Sequence, residues 1–155
     1  MDTQQQTRSR QLSPLSREHV DGMLFVKRIR EGIGKYSIDR LNHYTRWYWK
    51  NHIRPHFFHE ERILLPYMPA GHQWSIKLKE EHAYIRDLVL SLDQDADVQA
   101  FKSLCDLIEA HIRFEEQDLF TYLEQTLTKE ELDNIHKQLE EKPVDAEEWE
   151  DAFWT

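Results

Sequence analysis

Two short stretches of this chain carry the same polar residues in the same order, 55 residues apart. One is His56-Phe-Phe-His-Glu60-Glu61-Arg-Ile-Leu64-Leu-Pro-Tyr67. The other is His111-Ile-Arg-Phe-Glu115-Glu116-Gln-Asp-Leu119-Phe-Thr-Tyr122. Upstream of each stands a lone histidine preceded by glutamate, Glu18-His19 and Glu81-His82. A single H-x-x-x-E is commonplace as a helix-surface ion pair. Two aligned copies, each with a matching lone histidine, point to metal chemistry instead. Residues four apart on an α-helix differ by about 40° in direction and about 6 Å in rise, so imidazole and carboxylate leave one face. Two such helices facing each other offer two carboxylates able to bridge a pair of cations, with two imidazoles completing each ion. The candidate ligands are His19, His56, Glu60, His82, His111 and Glu115. Mixed nitrogen and oxygen donors suit iron or manganese, and four imidazoles favour iron. Spacing alone also admits zinc or cobalt. Phe57, Leu64, Phe114, Leu119 and Phe120 flank the motifs, and an unpaired carboxylate is costly among such neighbours.

The remaining polar residues fit plainer roles. Glu61 and Glu116 are expected to make salt bridges or orient ligand imidazoles, and Glu18 and Glu81 invite the same reading. Glu116 stands five residues after His111 and faces about 100° away from Glu115 on a regular helix. His59 reads as a surface residue, with a supporting hydrogen bond to the centre as the alternative. His52, one turn before His56, reads as an ordinary residue, with an extra ligand or gate as the alternative. His43, His72 and His136 lack matching partners and read as surface or capping residues. The run Tyr44, Trp47, Tyr48, Trp49 reads as packing, and Cys105 as a small buried apolar side chain.

Helices must position these groups. Only 4 Gly and 5 Pro interrupt 155 residues, which favours long helices over a many-turned β fold. Ser16 is expected to cap a first helix whose apolar face is Val20, Met23, Leu24, Ile29 and Ile33, with Gly22 admitting a neighbouring backbone. Ser37 or Asp39 opens a second, through Leu41, Tyr44, Ile53 and Leu64, which Pro55 should kink. A third runs from about Gln73 to Leu92, with Ile76, Ile85, Leu88 and Val89 inward. A fourth covers about Val98 to Leu127, with Phe101, Leu104, Leu107 and Ile108 inward. Thr128-Lys-Glu-Glu resembles a capping box and starts a short fifth helix to about Glu140. Four long helices with short connections predict an all-α, up-down-up-down four-helix bundle with a short extra C-terminal helix and a tail. Residues 1–13 read as a disordered leader, 14–140 as the bundle, and 141–155 as an acidic tail. Trp149, Phe153 and Trp154 of that tail are expected to tuck against the bundle.

Composition excludes several functions. The chain carries a formal charge of −9 and shows no basic stripe, so nucleic-acid binding is not expected. A single cysteine rules out an internal disulfide and a thiolate metal site, and it suits the cytoplasm. No apolar run approaches the roughly 20 residues of a membrane span, and none serves as a signal peptide.

With its H…HxxxE…H…HxxxE order, Arg17-Glu18-His19 near the start and phenylalanine around the paired glutamates, the chain resembles the hemerythrin HHE cation-binding family over about Ser13 to Glu124. The resemblance implies a non-haem di-iron centre in which His19, His56, His82 and His111 are terminal ligands and Glu60 and Glu115 bridges. Oxygen-carrying hemerythrins have a second histidine four residues before the third-helix one, where this chain has Leu78, and their fourth-helix carboxylate lies five residues after its histidine. The present pattern is closer to bacterial iron-centre repair proteins and eukaryotic iron-sensing domains of the family. The expected function is binding of iron and of oxygen or another small diatomic such as NO, in sensing, storage or iron handling. Alternatives are iron-centre repair, detoxification of peroxide or nitric oxide, and an interaction module with a purely structural metal. Signalling would require a homo-oligomer or a protein partner.

Overall fold

Four of the helices begin where a side chain satisfies a free amide. The computed structural model describes residues 8–141 and 148–155. Helix α1 spans Ser13–Gly32, α2 Ile38–Tyr48, α3 Arg54–His59 and α4 Gln73–Asp95. Helix α5 spans Val98–Phe114, α6 Phe120–Thr126 and α7 Lys129–Glu140. Ser37 caps α2 by accepting from the Arg40 amide, and His72 caps α4 by accepting from Trp74. Asp97 caps α5, and the Thr128–Glu131 capping box opens α7 as its sequence suggests. Ser16 is not a cap. Helix α1 starts three residues earlier, with Pro14 in its first turn, and the Ser16 hydroxyl donates to Glu116 instead.

Five helical rods result. The second is continuous from Ile38 through a π-turn at Trp49–Ile53, α3, a second π-turn at Glu60–Leu64 and a 3₁₀ turn at Leu65–Tyr67. The fourth joins α5 to α6 through a π-turn at Glu115–Leu119. Pro55 is accommodated by the π-turn ahead of it, where the Arg54 amide reaches back five residues to the Trp49 carbonyl. Helix α1 packs on α5, α5 on α4, α4 on α2, and α2 on α1. Among the described residues there is no strand, and no helix is long and apolar enough to cross a membrane.

Two apolar clusters fill the interior. One gathers Phe25, Val26, Ile29, Leu41, Tyr44, Ile85, Val89, Phe101 and Leu104. The other gathers Leu12, Leu15, Leu64, Leu78, Phe120, Leu123 and Ile135 from α7. Along every long rod a polar residue stands between them: His19 follows Leu15 and precedes Phe25, and His82 lies between Leu78 and Ile85. The six polar candidates are thus a layer between two dry cores.

Several expectations need correction. The face of α1 is Leu15, His19, Gly22, Phe25, Val26 and Ile29, while Val20 is 73% exposed. Gly22 admits the Ile112 side chain, which a Cβ would meet at 3.3 Å, rather than a backbone. Ile76 and Leu107 lie at the surface. The leader is ordered from Arg8 onward: Arg8 and the Ser9 amide both bind Glu124, and Leu12 is fully buried. Residues 1–7 and 142–147 lie outside the described residues, and with them those parts of the expected leader and tail. Beyond the gap, the tail does tuck in. Phe153 is buried against Tyr36 and Tyr44, Arg28 stacks over Trp154, and Asp151 holds Arg40 in two hydrogen bonds of 2.6 and 2.8 Å.

Candidate metal centre

All six candidate ligands are buried, with Glu60 and Glu115 at 0% exposure. Their donor atoms form two groups: His19 and His56 with Glu60 and Glu115, and His82 and His111 with the same two glutamates. In each group one atom per residue lies within 4.8 Å of every other. The Nε2 atoms of His19 and His56 stand 2.6 and 3.8 Å from Oε1 of Glu115, and 3.9 and 3.0 Å from Oε2 of Glu60. His82 and His111 face the opposite oxygens. His82 Nε2 is 3.2 Å from Oε1 of Glu60 and 3.6 Å from Oε2 of Glu115, and His111 Nε2 is 2.8 Å from the latter. Each carboxylate therefore turns one oxygen to each histidine pair.

These separations match donors around a common cation. Bonds of about 2.1 Å place neighbouring donors about 3.0–3.4 Å apart. The alignment agrees. Nε2 of His56 and of His111, with Oε2 of Glu60 and of Glu115, are buried without a hydrogen-bond partner. Yet His56 Nε2 is 3.0 Å from that Glu60 oxygen, and His111 Nε2 is 2.8 Å from that Glu115 oxygen. Their lone pairs converge on shared points rather than on each other, which leaves the atoms orphaned unless a cation satisfies them. The residues fit a pair of metal ions.

The other nitrogen of each ring is clamped by a further glutamate. Glu18 on α1 accepts from His56 Nδ1 at 2.6 Å, and Glu61 on the second rod from His82 at 2.7 Å. Glu81 on α4 accepts from His111 at 2.7 Å, and Glu116 on the fourth rod accepts from His19 at 2.5 Å. Each of the first three rods thus holds the histidine of the next, and the fourth closes the circle on the first. With Nδ1 donating, Nε2 is left to face the centre, which fixes tautomer and ring angle.

Electrostatics favour positive charge here. Burial alone would lower the His19 ring, but its bonds to Glu115 and Glu116 prevail and hold it up at about 9. His82 is held up at about 10 against the same burial by Glu115, Glu60 and Glu61. His56 and His111 are raised as well, again by carboxylates that outweigh burial. Glu115, although burial opposes its charge, is pulled well below the carboxylate range by His111 and its other neighbours. A place that holds protons this firmly attracts metal cations for the same reason, and metal must displace those protons.

Two of the three π-turns belong to the site, and they begin at the bridging candidates Glu60 and Glu115. After Glu115 the Phe120 amide bonds back five residues, and the Glu116 carbonyl is taken up by Arg8 and by the Thr121 hydroxyl. Rings line the layer: Phe57 stacks on His82 at 3.7 Å and meets His111 edge-on, and Phe120 stacks on His19. A cavity of about 950 Å³ between α1 and the second rod reaches His19, His56 and His111.

Neither His59 nor His52 joins a ligand group; both line the cavity, where His52 packs on Trp47 and Tyr48. His72 is a helix cap, and His136 pairs with Glu140 at 2.8 Å. Cys105 is buried, and burial pushes its thiol up to about 12, which leaves no reactive thiolate. Arg8 went unnoticed in the sequence, because a long-range contact to a π-turn carbonyl leaves no local pattern.

The hemerythrin HHE cation binding domain matches this chain over residues 11–123, which takes in all six candidate ligands. The comparison with curated proteins returned no match, and neither did the comparison with solved structures.

Proposed function

Because the chain belongs to the hemerythrin HHE cation-binding domain family, we propose that it is a non-haem di-iron protein that binds dioxygen or another small diatomic such as NO, in sensing, storage or iron handling. In this reading the rods form an up-down-up-down four-helix bundle, in keeping with their short connections and cyclic order of packing. His19 and His56 hold one ion and His82 and His111 the other, while Glu60 and Glu115 bridge the pair. A pair of iron ions would supply open coordination positions and a reversible change of oxidation state. The protein's own part is to fix the imidazoles through the ring of glutamates, to exclude water with Phe57 and Phe120, and to keep a route open to one side. The observation that carries the reading is the division of each carboxylate between the two histidine pairs. The cavity at His19, His56 and His111 favours an accessible centre over a closed structural one. We place the protein in the cytoplasm and regard it as a binding protein rather than an enzyme.

Protein produced in iron-supplied cells should contain two iron atoms per chain and show oxo-bridge charge-transfer absorption. Reduction followed by oxygen should change that spectrum. His56→Ala and Glu115→Ala should each lose at least one metal equivalent, whereas His136→Ala should lose none. Full metal retained by either centre variant would contradict the ligand assignment. Zinc or manganese in place of iron, with the same stoichiometry, would keep the site and remove the oxygen chemistry.

A further inference from the structure

The cavity that reaches the centre is far larger than a diatomic requires. Dioxygen and nitric oxide are comparable in size to water, which occupies about 30 Å³. The cavity measures about 950 Å³, at the upper end of the roughly 300–1,000 Å³ that pockets for organic ligands span. Its inner wall is apolar. Phe57, Ile85 and Ile108 are buried there, and Ile112 lies against Gly22.

Its mouth carries the opposite character. The chain has 29 acidic against 20 basic residues, yet three of the four exposed charged residues lining this cavity are cations, Arg17, Lys50 and Arg54, and the fourth is Asp21. Asp21 is engaged as acceptor from the Tyr48 hydroxyl at 2.6 Å, and the half-buried Glu18, which also faces the cavity, accepts from His56. Arg17 and Arg54 make no ion pair among the described residues. A cationic rim over an apolar interior matches an amphiphilic anion. At the rim the head keeps part of its hydration and gains the guanidinium groups as partners.

We propose that this cavity binds a medium-chain organic carboxylate, its head at Arg17 and Arg54 and its hydrocarbon body along Phe57, Ile85 and Ile108 toward the histidines. The occupant would then lie across the approach to the centre. The proposal adds a ligand class to the function proposed above and does not depend on which cation the centre holds.

Calorimetric titration of the metal-loaded full chain with decanoate, decanol, decyltrimethylammonium and acetate tests it. Decanoate should bind one equivalent, and decyltrimethylammonium at least about tenfold more weakly, as expected when a charged contact is reversed. The double variant Arg17→Gln/Arg54→Gln should weaken decanoate by about tenfold or more while leaving decanol nearly unchanged. Ile108→Trp should abolish binding of both by filling the interior; Ile112→Trp serves the same end should the first fail to fold. Metal content and absorption are read on the same samples. Decanoate binding that persists in a sample without iron leaves this proposal standing and sinks only the di-iron reading. No decanoate binding at millimolar concentration overturns the proposal, as does binding untouched by the arginine and tryptophan variants. Acetate binding as tightly as decanoate would place the carboxylate on the metal and overturn it too.

Discussion

Replacing Glu81 by alanine should weaken one of the two proposed metal sites more than the other. Glu81 accepts from His111 Nδ1 at 2.7 Å and is itself steadied by Lys77 at 2.7 Å. Burial works against its charge, but His111 and Lys77 hold its carboxyl below the usual range, so it is ionised at neutral pH. Without it the His111 ring loses its tautomer lock and some basicity, and such losses lower metal affinity by about 10–100-fold, or about 1.4–2.7 kcal/mol. The Glu81 side chain is the least exposed of the four clamps at 23%, against 40% for Glu61. Water replaces a lost acceptor more easily at the exposed position. Glu81→Ala should therefore approach the upper end of that range and Glu61→Ala the lower. Glu81→Gln keeps an acceptor without its charge and should fall between Glu81→Ala and the parent. Chelator competition with iron(II) under anaerobic conditions reads both sites. Two equivalents should remain at saturation, with the constant of the ion held by His82 and His111 shifted more than that of the other, which shares both bridging carboxylates with it. Glu18→Ala and Glu116→Ala, which serve His56 and His19, should shift the other constant. Four variants that weaken both sites equally, or none by more than about threefold, would refute the division of the ring between two ions.

The metal-free protein should be most stable between about pH 4.5 and 6.5, the ordinary values of its glutamates and histidines. His19 and His82 titrate higher when folded, so their contribution is complete below about 6.5 and is lost as pH rises through about 9–10. Glu61, Glu81, Glu115 and Glu116 titrate lower when folded, so theirs is complete above about 4.5 and is lost on acidification. Thermal unfolding followed by circular dichroism from pH 3 to 10 checks this, and a midpoint that rises from pH 7 to 10 would contradict it. Thr128→Ala removes one half of the α7 capping box and should cost about 1 kcal/mol in urea unfolding. Phe153→Ala should cost about 3–5 kcal/mol, because the ring is only 3% exposed among Tyr36, Tyr44 and Trp154; a loss below about 1 kcal/mol would mean the tail does not pack there in solution.

Much of the centre was legible because helical spacing and metal ligation share a period. Four residues make one turn, so each H-x-x-x-E states its geometry without tertiary information. The face of α1 was misread for a related reason. Val20 and Leu24 form one stripe at helical spacing, and Phe25, Val26 and Ile29 another beside it. Only the position of His19, which must face the centre, distinguishes them. Wide turns are harder to foresee. No residue type marks the π-turns at Glu60 and Glu115, since they arise from how the rods meet around the ligands.

The chain by itself determined the candidate donors: two carboxylates, four imidazoles, and the helices that present them. It also supplied a glutamate beside four of those six positions that could serve as a clamp, Glu18, Glu61, Glu81 and Glu116. Which histidine each one serves was decided by the packing. Consecutive residues on a helix diverge by about 100°, so Glu18 cannot clamp His19 beside it and Glu81 cannot clamp His82. Each points across to the adjoining rod, and the order in which the rods surround the centre selects the partner.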